Sequence, residues 1–346
     1  MAAEQNTHLK IVLPTAGWGV RLRPHTWSRP KQLLQVAGQP FIRHVLDRLD
    51  SLPQTLPREF IYITGTHGGQ IEDYLRRAYP EQKARFISQP EPLGQSHALY
   101  RAREHLTGPL LMVFPDTLAE TDLYFLGAAP SEAAVWVREV PDPGSYGIAR
   151  TGPDGRVRRI IEKPQTKDYR LAVVGFYYFP KAEALVDAIE EQLVTDLRTG
   201  EEFYLADAVN LLLDRGLVMR TQPVGAWHDG GTVAGLLETN AYLLENGHAN
   251  FRHLVELDDG KIIPPVYIDP SAAVEGSVVG PNVSIGAGCT VVNSVIENTI
   301  VEAGSKITAC RLWDSLVGER AMLSGVTGII SAGDDSFYSF DPNERE

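Results

Sequence analysis

Residues 15–24 read TAGWGVRLRP and follow directly on the apolar run Leu9-Lys10-Ile11-Val12-Leu13-Pro14. Glycines at 17 and 19 let a backbone close on an anion, because no Cβ bars the approach. Arg21, Arg23, Arg29 and Lys31 gather positive charge within residues 21–31. The chemistry this suits is the neutralisation of a phosphorylated ligand. The alternative is a tight strand-to-helix turn with solvated arginines. The full dinucleotide fingerprint is absent, since its third glycine position holds Leu22, and no Walker A pattern occurs. A nicotinamide site is therefore disfavoured.

Two carboxylates extend the picture. Asp116 ends the apolar run LLMVFPD (110–116), at the carboxyl edge where open α/β sheets bind ligands. Asp229 lies in WHDGGT (227–232), just ahead of a helical pattern. Each has an ordinary alternative as a helix N-cap or turn residue. Together they could hold one hard Mg2+ whose remaining shell is phosphate oxygen.

Composition limits the partners. The formal net charge is −12 over 346 residues, which argues against nucleic acid held on a general basic surface. Cys289 and Cys310 are the only cysteines, so neither a disulfide framework nor a Cys-rich zinc site is expected. The start, MAAEQNTHLK, has no apolar stretch of the secretory kind, and no run approaches a membrane span. A cytoplasmic protein without membrane or nucleic-acid partners is the expectation.

The elements that must position these residues fall into two patterns. Up to about residue 246, short apolar runs alternate with helical ones: strands at 9–14, 60–64, 84–89 and 110–116, helices around 41–49, 71–75 and 95–106. This order predicts a parallel sheet covered by helices. AVWVREV, a hairpin turning at Asp154-Gly155, and AVVGFYYF add strands, and helices are expected at 204–215 and 232–246. Past residue 263 the period becomes six. Ile268 and Val274, then Val279, Ile285 and Val291, then Val295, Val301 and Ile307 keep that spacing. Such a period predicts a parallel β-helix, and the segment is similar to the left-handed β-helix of hexapeptide-repeat proteins. The fold class expected is α/β, a Rossmann-like mixed sheet followed by a short left-handed parallel β-helix.

The run AGWGVRLRPHTWSRPKQLLQVAGQPFI (16–42) resembles the signature of the sugar-1-phosphate nucleotidylyltransferases, approximately GxGTRLxPLTxxxPKxLxPVxGKPxI. Further motifs follow in the family's order: QPEPLGQSHAL (89–99), VFPDT (113–117), GSYGI (144–148), IIEKP (160–164), VVGFYYF (173–179), EFYLADAV (202–209) and WHDGGT (227–232). The resemblance covers about residues 9–246 and implies a catalytic domain over 1–246. A linker at 247–263, the β-helix at 264–335 and an acidic tail at 336–346 complete the expected organisation. The implied reaction joins an NTP and a sugar 1-phosphate into an NDP-sugar, with release of pyrophosphate and dependence on Mg2+.

The resemblance also assigns roles. Arg21, Lys31 and Lys163 are the implied catalytic cations: Arg21 on the α-phosphate and leaving pyrophosphate, Lys31 on the NTP phosphates, Lys163 on the attacking phosphate. Ala16, Gly17 and Gly19 line the phosphate loop. Gln89 and Gly94 meet the base. Tyr146 and Gly147 line the sugar, Glu162 accepts its hydroxyls, and Gly175 leaves room for its ring or marks a β-bulge. Asp116 and Asp229 are the implied metal ligands. Two departures stand out: Val20 replaces the usual Thr of GxGTR, and FPDT replaces the usual GDN or GDD. A catalytically silent nucleotide-sugar sensor or assembly subunit is the competing reading. A hexapeptide-repeat acyltransferase is disfavoured because residues 264–330 contain no histidine. Glucose 1-phosphate with dTTP or UTP is the expected substrate pair, and homo-oligomers are expected through the exposed β-helix.

Overall fold

A computed structural model describes residues 8–253, 255–257 and 259–340. The chain divides into two compact units. One is built from the chain up to Trp18 together with Val45–Trp227; the other combines Gly19–His44 with the chain from His228 onward. The second unit thus takes in the signature loop and the segment from 228 to 246, which the sequence places in the catalytic domain.

The first unit is a mixed sheet with helices on it. Its strand order is 157–162, 147–151, 171–179, 110–113, 9–14, 58–64, 84–88. Leu9–Pro14 pairs in parallel with Arg58–Thr64 on one side and with Leu110–Val113 on the other. Leu171–Phe179 runs antiparallel to Leu110–Val113 and to Ala133–Glu139. The strands 9–14 and 110–113 are buried along almost their whole length, as expected of β-rich apolar runs covered on both faces. Helix α1 (Phe41–Arg48) runs from the second unit's part of the chain into the first's. The first unit's own helices are α2 (Gly68–Ala78), α3 (Gln95–Arg101), α4 (Ala182–Val194) and α5 (Leu205–Asp214), and α6 (Val233–Leu243) belongs to the second. Helix α4 has no counterpart in the sequence reading. Its buried face is Ala182, Leu185, Ala188, Ile189 and Gln192, too small and too polar to stand out as an apolar stripe. The hairpin turning at Asp154-Gly155 forms as expected, with Gly147–Thr151 antiparallel to Val157–Glu162.

In the second unit, short parallel strands stack coil on coil. Ile268, Ile285, Val301, Val317 and Ala332 line up in one column. Val274, Val291, Ile307, Leu323 and Tyr338 form a second. Ile262, Val279, Ile296 and Leu312 form a third. This is the expected β-helix, with two corrections. Val295 keeps the six-residue spacing but points outward, while its neighbour Ile296 is fully buried, because successive residues of a strand face opposite ways. The solenoid also outruns its expected limits. Gly260–Ile262 already pairs with Val278–Val279, and Phe337–Ser339 still pairs with Met322–Ser324; residues 341–346 of the expected tail lie outside the described residues.

Helix α6 begins at Thr232, whose hydroxyl accepts from Gly235 N at 3.0 Å. The buried Asn240 on this helix accepts from Ala37 N at 2.9 Å and from the Ser284 hydroxyl at 2.6 Å, and donates to Asn282 O at 3.0 Å. One amide thus ties helix, signature segment and solenoid together. Replacing the fully buried Ile296 by alanine is expected to cost about 2–5 kcal/mol through lost burial and a residual cavity, measurable as a lowered urea midpoint.

Candidate active site

The sheet topology selects the place. Leu9–Pro14 is followed in the chain by Arg58–Thr64 on one side, whereas Leu110–Val113 lies on its other side. Ligands of open α/β sheets bind at such a switch point, outside the carboxyl ends of the strands. Ala16 and Gly17 emerge there from one strand and Asp116 from its parallel neighbour. The Ala16 carbonyl is packed so that a Cβ on Gly65 would lie 2.6 Å from it. Gly17 is exposed, with open space where a Cβ would stand. Asp116 occupies the turn between Leu110–Val113 and Thr117–Ala119; it caps no helix.

Gln89 leaves the next strands along the same edge. It is 3% exposed, its backbone N–H donates to Thr64 O at 2.8 Å, and its side-chain amide reaches Gly94 O at 3.2 Å and His97 Nδ1 at 2.9 Å. Gly94 has φ 114°, and a Cβ there would lie 2.6 Å from both N and O of Phe203. Only glycine fits this approach. The segment is laced to 203–205 by Phe203 N to Leu93 O at 2.9 Å, Ser96 N to Phe203 O at 3.0 Å and the Ser96 hydroxyl to Tyr204 O at 3.1 Å.

That lacing brings Tyr204 to the EKP turn. The Lys163 ammonium donates to the Tyr204 hydroxyl at 2.5 Å and lies 4.8 Å from the centre of its ring. The hydrogen bond to Tyr204 holds the Lys163 pKa above the ordinary lysine range. Glu162 sits opposite Gly147 in the hairpin, and a Cβ on Gly147 would lie 3.0 Å from its Oε2. Burial pushes the Glu162 carboxyl up to about 7; Lys163 pulls it down, while Asp207 and Glu202 push it further up. Tyr146 accepts through its carbonyl from Lys163 N at 2.9 Å, and its ring meets Trp227 edge-on at 4.9 Å. Gly175 has φ 90° and lies where the pairing register of its strand shifts, a β-bulge. A Cβ there would lie 2.6 Å from Phe114 Cδ2, so Phe114 fills that side and the glycine serves the approach of the Asp116 turn.

The second unit gathers the other set. Gly19 starts a 3-10 turn (Val20–Leu22), and a Cβ there would come within 3.4 Å of Lys31 Cβ. Arg21 is exposed, and a Cβ on Gly231 would lie 2.5 Å from its Nη2 and 2.9 Å from Asp229 Oδ1. Arg21 and Asp229 therefore flank one glycine. Asp229 accepts from Gly231 N at 2.9 Å, a turn contact, and the helix cap is Thr232 instead. Val20 is 58% exposed and presents no hydroxyl.

Arg29 is withdrawn from the cation set assumed at 21–31. It is 6% exposed and engaged by Glu302, by Glu319 at 2.8 Å and by Asp334 at 2.6 Å. Three residues escaped assignment in the sequence: Tyr204, Asp207 and Gln32. Gln32 is 1% exposed, and neither atom of its side-chain amide has a hydrogen-bond partner among the described residues, although the motif around it was legible. Among the described residues no group of three or more His, Cys, Asp or Glu is arranged to hold a metal. Asp116 in the first unit and Asp229 in the second each offer a hard oxygen donor of the kind Mg2+ takes.

The profile of the nucleotidyl transferase family matches residues 10–246. The chain belongs to this family. It is 28% identical over 344 residues to a glucose-1-phosphate thymidylyltransferase of Streptomyces griseus, covering 91% of this chain and 94% of that protein. It is 30% identical over 353 residues to the low-salt glycan biosynthesis nucleotidyltransferase Agl11 of Haloferax volcanii, covering 94% and 96%. A UDP-glucose pyrophosphorylase solved with UDP-glucose superposes with a TM-score of 0.60 at 20% identity, over 69% of this chain and 99% of that one, which shows a shared fold. No helix among the described residues is long and apolar enough to cross a membrane.

A carboxyl raised in the folded state is protonated there at pH values where the unfolded chain has already lost the proton. Stability therefore falls as pH rises from the ordinary value of 4.5 to about 7, and is level above that. Glu162→Gln is expected to reduce this fall, read by urea unfolding at pH 5 and pH 8.

Proposed function

We propose that this nucleotidyl transferase joins an NTP to a sugar 1-phosphate, releasing pyrophosphate, with glucose 1-phosphate and dTTP or UTP as its substrates. The observation that carries the reading is the pairing of Glu162 with Lys163 beside Gly147 and Tyr204. A carboxylate next to an ammonium suits a ligand with hydroxyls on one side and a phosphate on the other.

A sugar phosphate oxygen attacks the α-phosphorus, the bond to the β-phosphate oxygen breaks, and pyrophosphate departs. Such transfers need placement and charge neutralisation more than a protein nucleophile. Lys163, oriented by Tyr204, holds the attacking phosphate. Glu162 accepts the sugar hydroxyls, and Tyr146 and Gly147 line the ring. Ala16, Gly17 and Gly19 present the phosphate loop. Arg21 and Lys31 neutralise the triphosphate. Gln89 and Gly94 face the base. Mg2+, with Asp116 and Asp229 as its ligands, would supply further neutralisation of the phosphates. The buried thiols of Cys289 and Cys310 suit a reducing compartment such as the cytoplasm.

Purified protein with Mg2+ and glucose 1-phosphate is expected to release pyrophosphate with dTTP or UTP, and Asp116→Asn to lower kcat by about 100-fold or more. Silence with every nucleotide and with a panel of other sugar phosphates, while an NDP-sugar still binds, would instead establish a silent sensor or subunit. Lys163→Met is expected to raise KM for the sugar phosphate about tenfold or more and to leave KM for the NTP unchanged.

A further inference from the structure

Arg21 and Lys31 stand on a segment with little regular structure of its own, two single 3-10 turns at Val20–Leu22 and Lys31–Leu33. Its internal support includes the Thr26 hydroxyl donating to Gly19 O at 2.8 Å. A further set of anchors comes from the β-helix. Glu302, Glu319 and Asp334 surround the guanidinium of Arg29. The Ser28 hydroxyl donates to Asp334 at 2.5 Å, Gln35 N donates to Glu302 at 2.9 Å, and His25 Nε2 meets the Ser331 hydroxyl at 3.0 Å. Gly333 sits close enough to Pro24 that a Cβ would lie 3.0 Å from its ring.

The arrangement is costly if it only braces the fold. Glu302 is completely buried, and one arginine faces three carboxylates. Buried ion clusters of this kind stabilise little relative to apolar packing, but they fix one geometry. The planar, multidentate guanidinium ties three successive coils to one point of the loop. That point lies two residues before Lys31.

We propose that the β-helix is a working part of the nucleotide site: Glu302, Glu319 and Asp334 are positioning residues that hold Arg29, and through it the loop bearing Arg21 and Lys31. The inference rests on the proposed roles of those two cations. It predicts a defect confined to the NTP, because Lys163 and Glu162 stand elsewhere in the chain.

The test compares Asp334→Asn and Glu302→Gln with Ile296→Ala, which loosens the same solenoid without touching Arg29. Both latch variants are expected to raise KM for the NTP or lower kcat by about 10- to 100-fold, the scale of a small misplacement of binding groups. KM for the sugar phosphate stays within twofold. Amide hydrogen exchange over residues 19–36 rises in both, whereas Ile296→Ala lowers the melting temperature and changes neither quantity. Arg29→Lys, which keeps one charge but loses the fork, behaves like the latch variants. Kinetics within twofold of wild type in the latch variants, or an equal NTP defect in Ile296→Ala, overturns the proposal. Should wild-type protein turn over no substrate, the functional reading fails by itself. The exchange measurement then decides the latch: increased exchange in Asp334→Asn but not in Ile296→Ala upholds the holding of the loop, and unchanged exchange refutes it.

Discussion

The parallel pairing of Leu9–Pro14 with strands on both of its sides is the constraint on which the candidate site depends. Because Arg58–Thr64 takes one side and Leu110–Val113 the other, the chain leaves the carboxyl edge of the sheet from two neighbouring parallel strands. A backbone loop rich in glycine occupies one and a carboxylate the other. The antiparallel Leu171–Phe179 then brings Gly175 against Phe114, which settles the turn holding Asp116. Along the same edge the lacing of 89–96 to 203–205 carries Tyr204 to Lys163. Each contact follows from strand order first and from side-chain type second.

Charge in the signature loop is divided by burial. Arg21 and Arg23 are exposed and Lys31 is half-buried, whereas Arg29 is enclosed by carboxylates. An arginine already facing three acidic groups has little attraction to spare for a phosphate. Burial pushes the Glu302 carboxyl up to about 7 against the pull of Arg29 and the Gln35 N–H, and the neighbouring Glu319 and Asp334 add to the rise.

Much of this was legible in the sequence, and the failures have physical causes. The buried strands announced themselves as β-rich apolar runs, and the six-residue period announced the solenoid. The motif order placed Glu162, Lys163 and Asp116 on strand ends and turns, where they are found. Helix α4 escaped because alanine and glutamine make a weak stripe. Val295 misled because spacing fixes a period but not which of two adjacent residues faces inward. Arg29 counted toward the local positive charge of residues 21–31 because its partners lie almost the whole chain away, and proximity in sequence was the only proximity visible. Tyr204 lay inside a recognised motif, but only its contacts with Lys163 and Ser96 set it apart.

The three carboxylates around Arg29 do not come from one surface patch. Glu302 follows Val301, Glu319 lies just past Val317, and Asp334 just past Ala332, and these three apolar residues are stacked in one column. The acids are thus supplied once per coil, at the same corner. A repeat protein ordinarily gains or loses whole repeats at little cost, since each coil touches only its neighbours. Here a duplication or deletion of one coil would carry an acid past the guanidinium or remove it. The arginine acts as a tally of coils, and the length of this solenoid is not free to drift as that of a simple spacer would be.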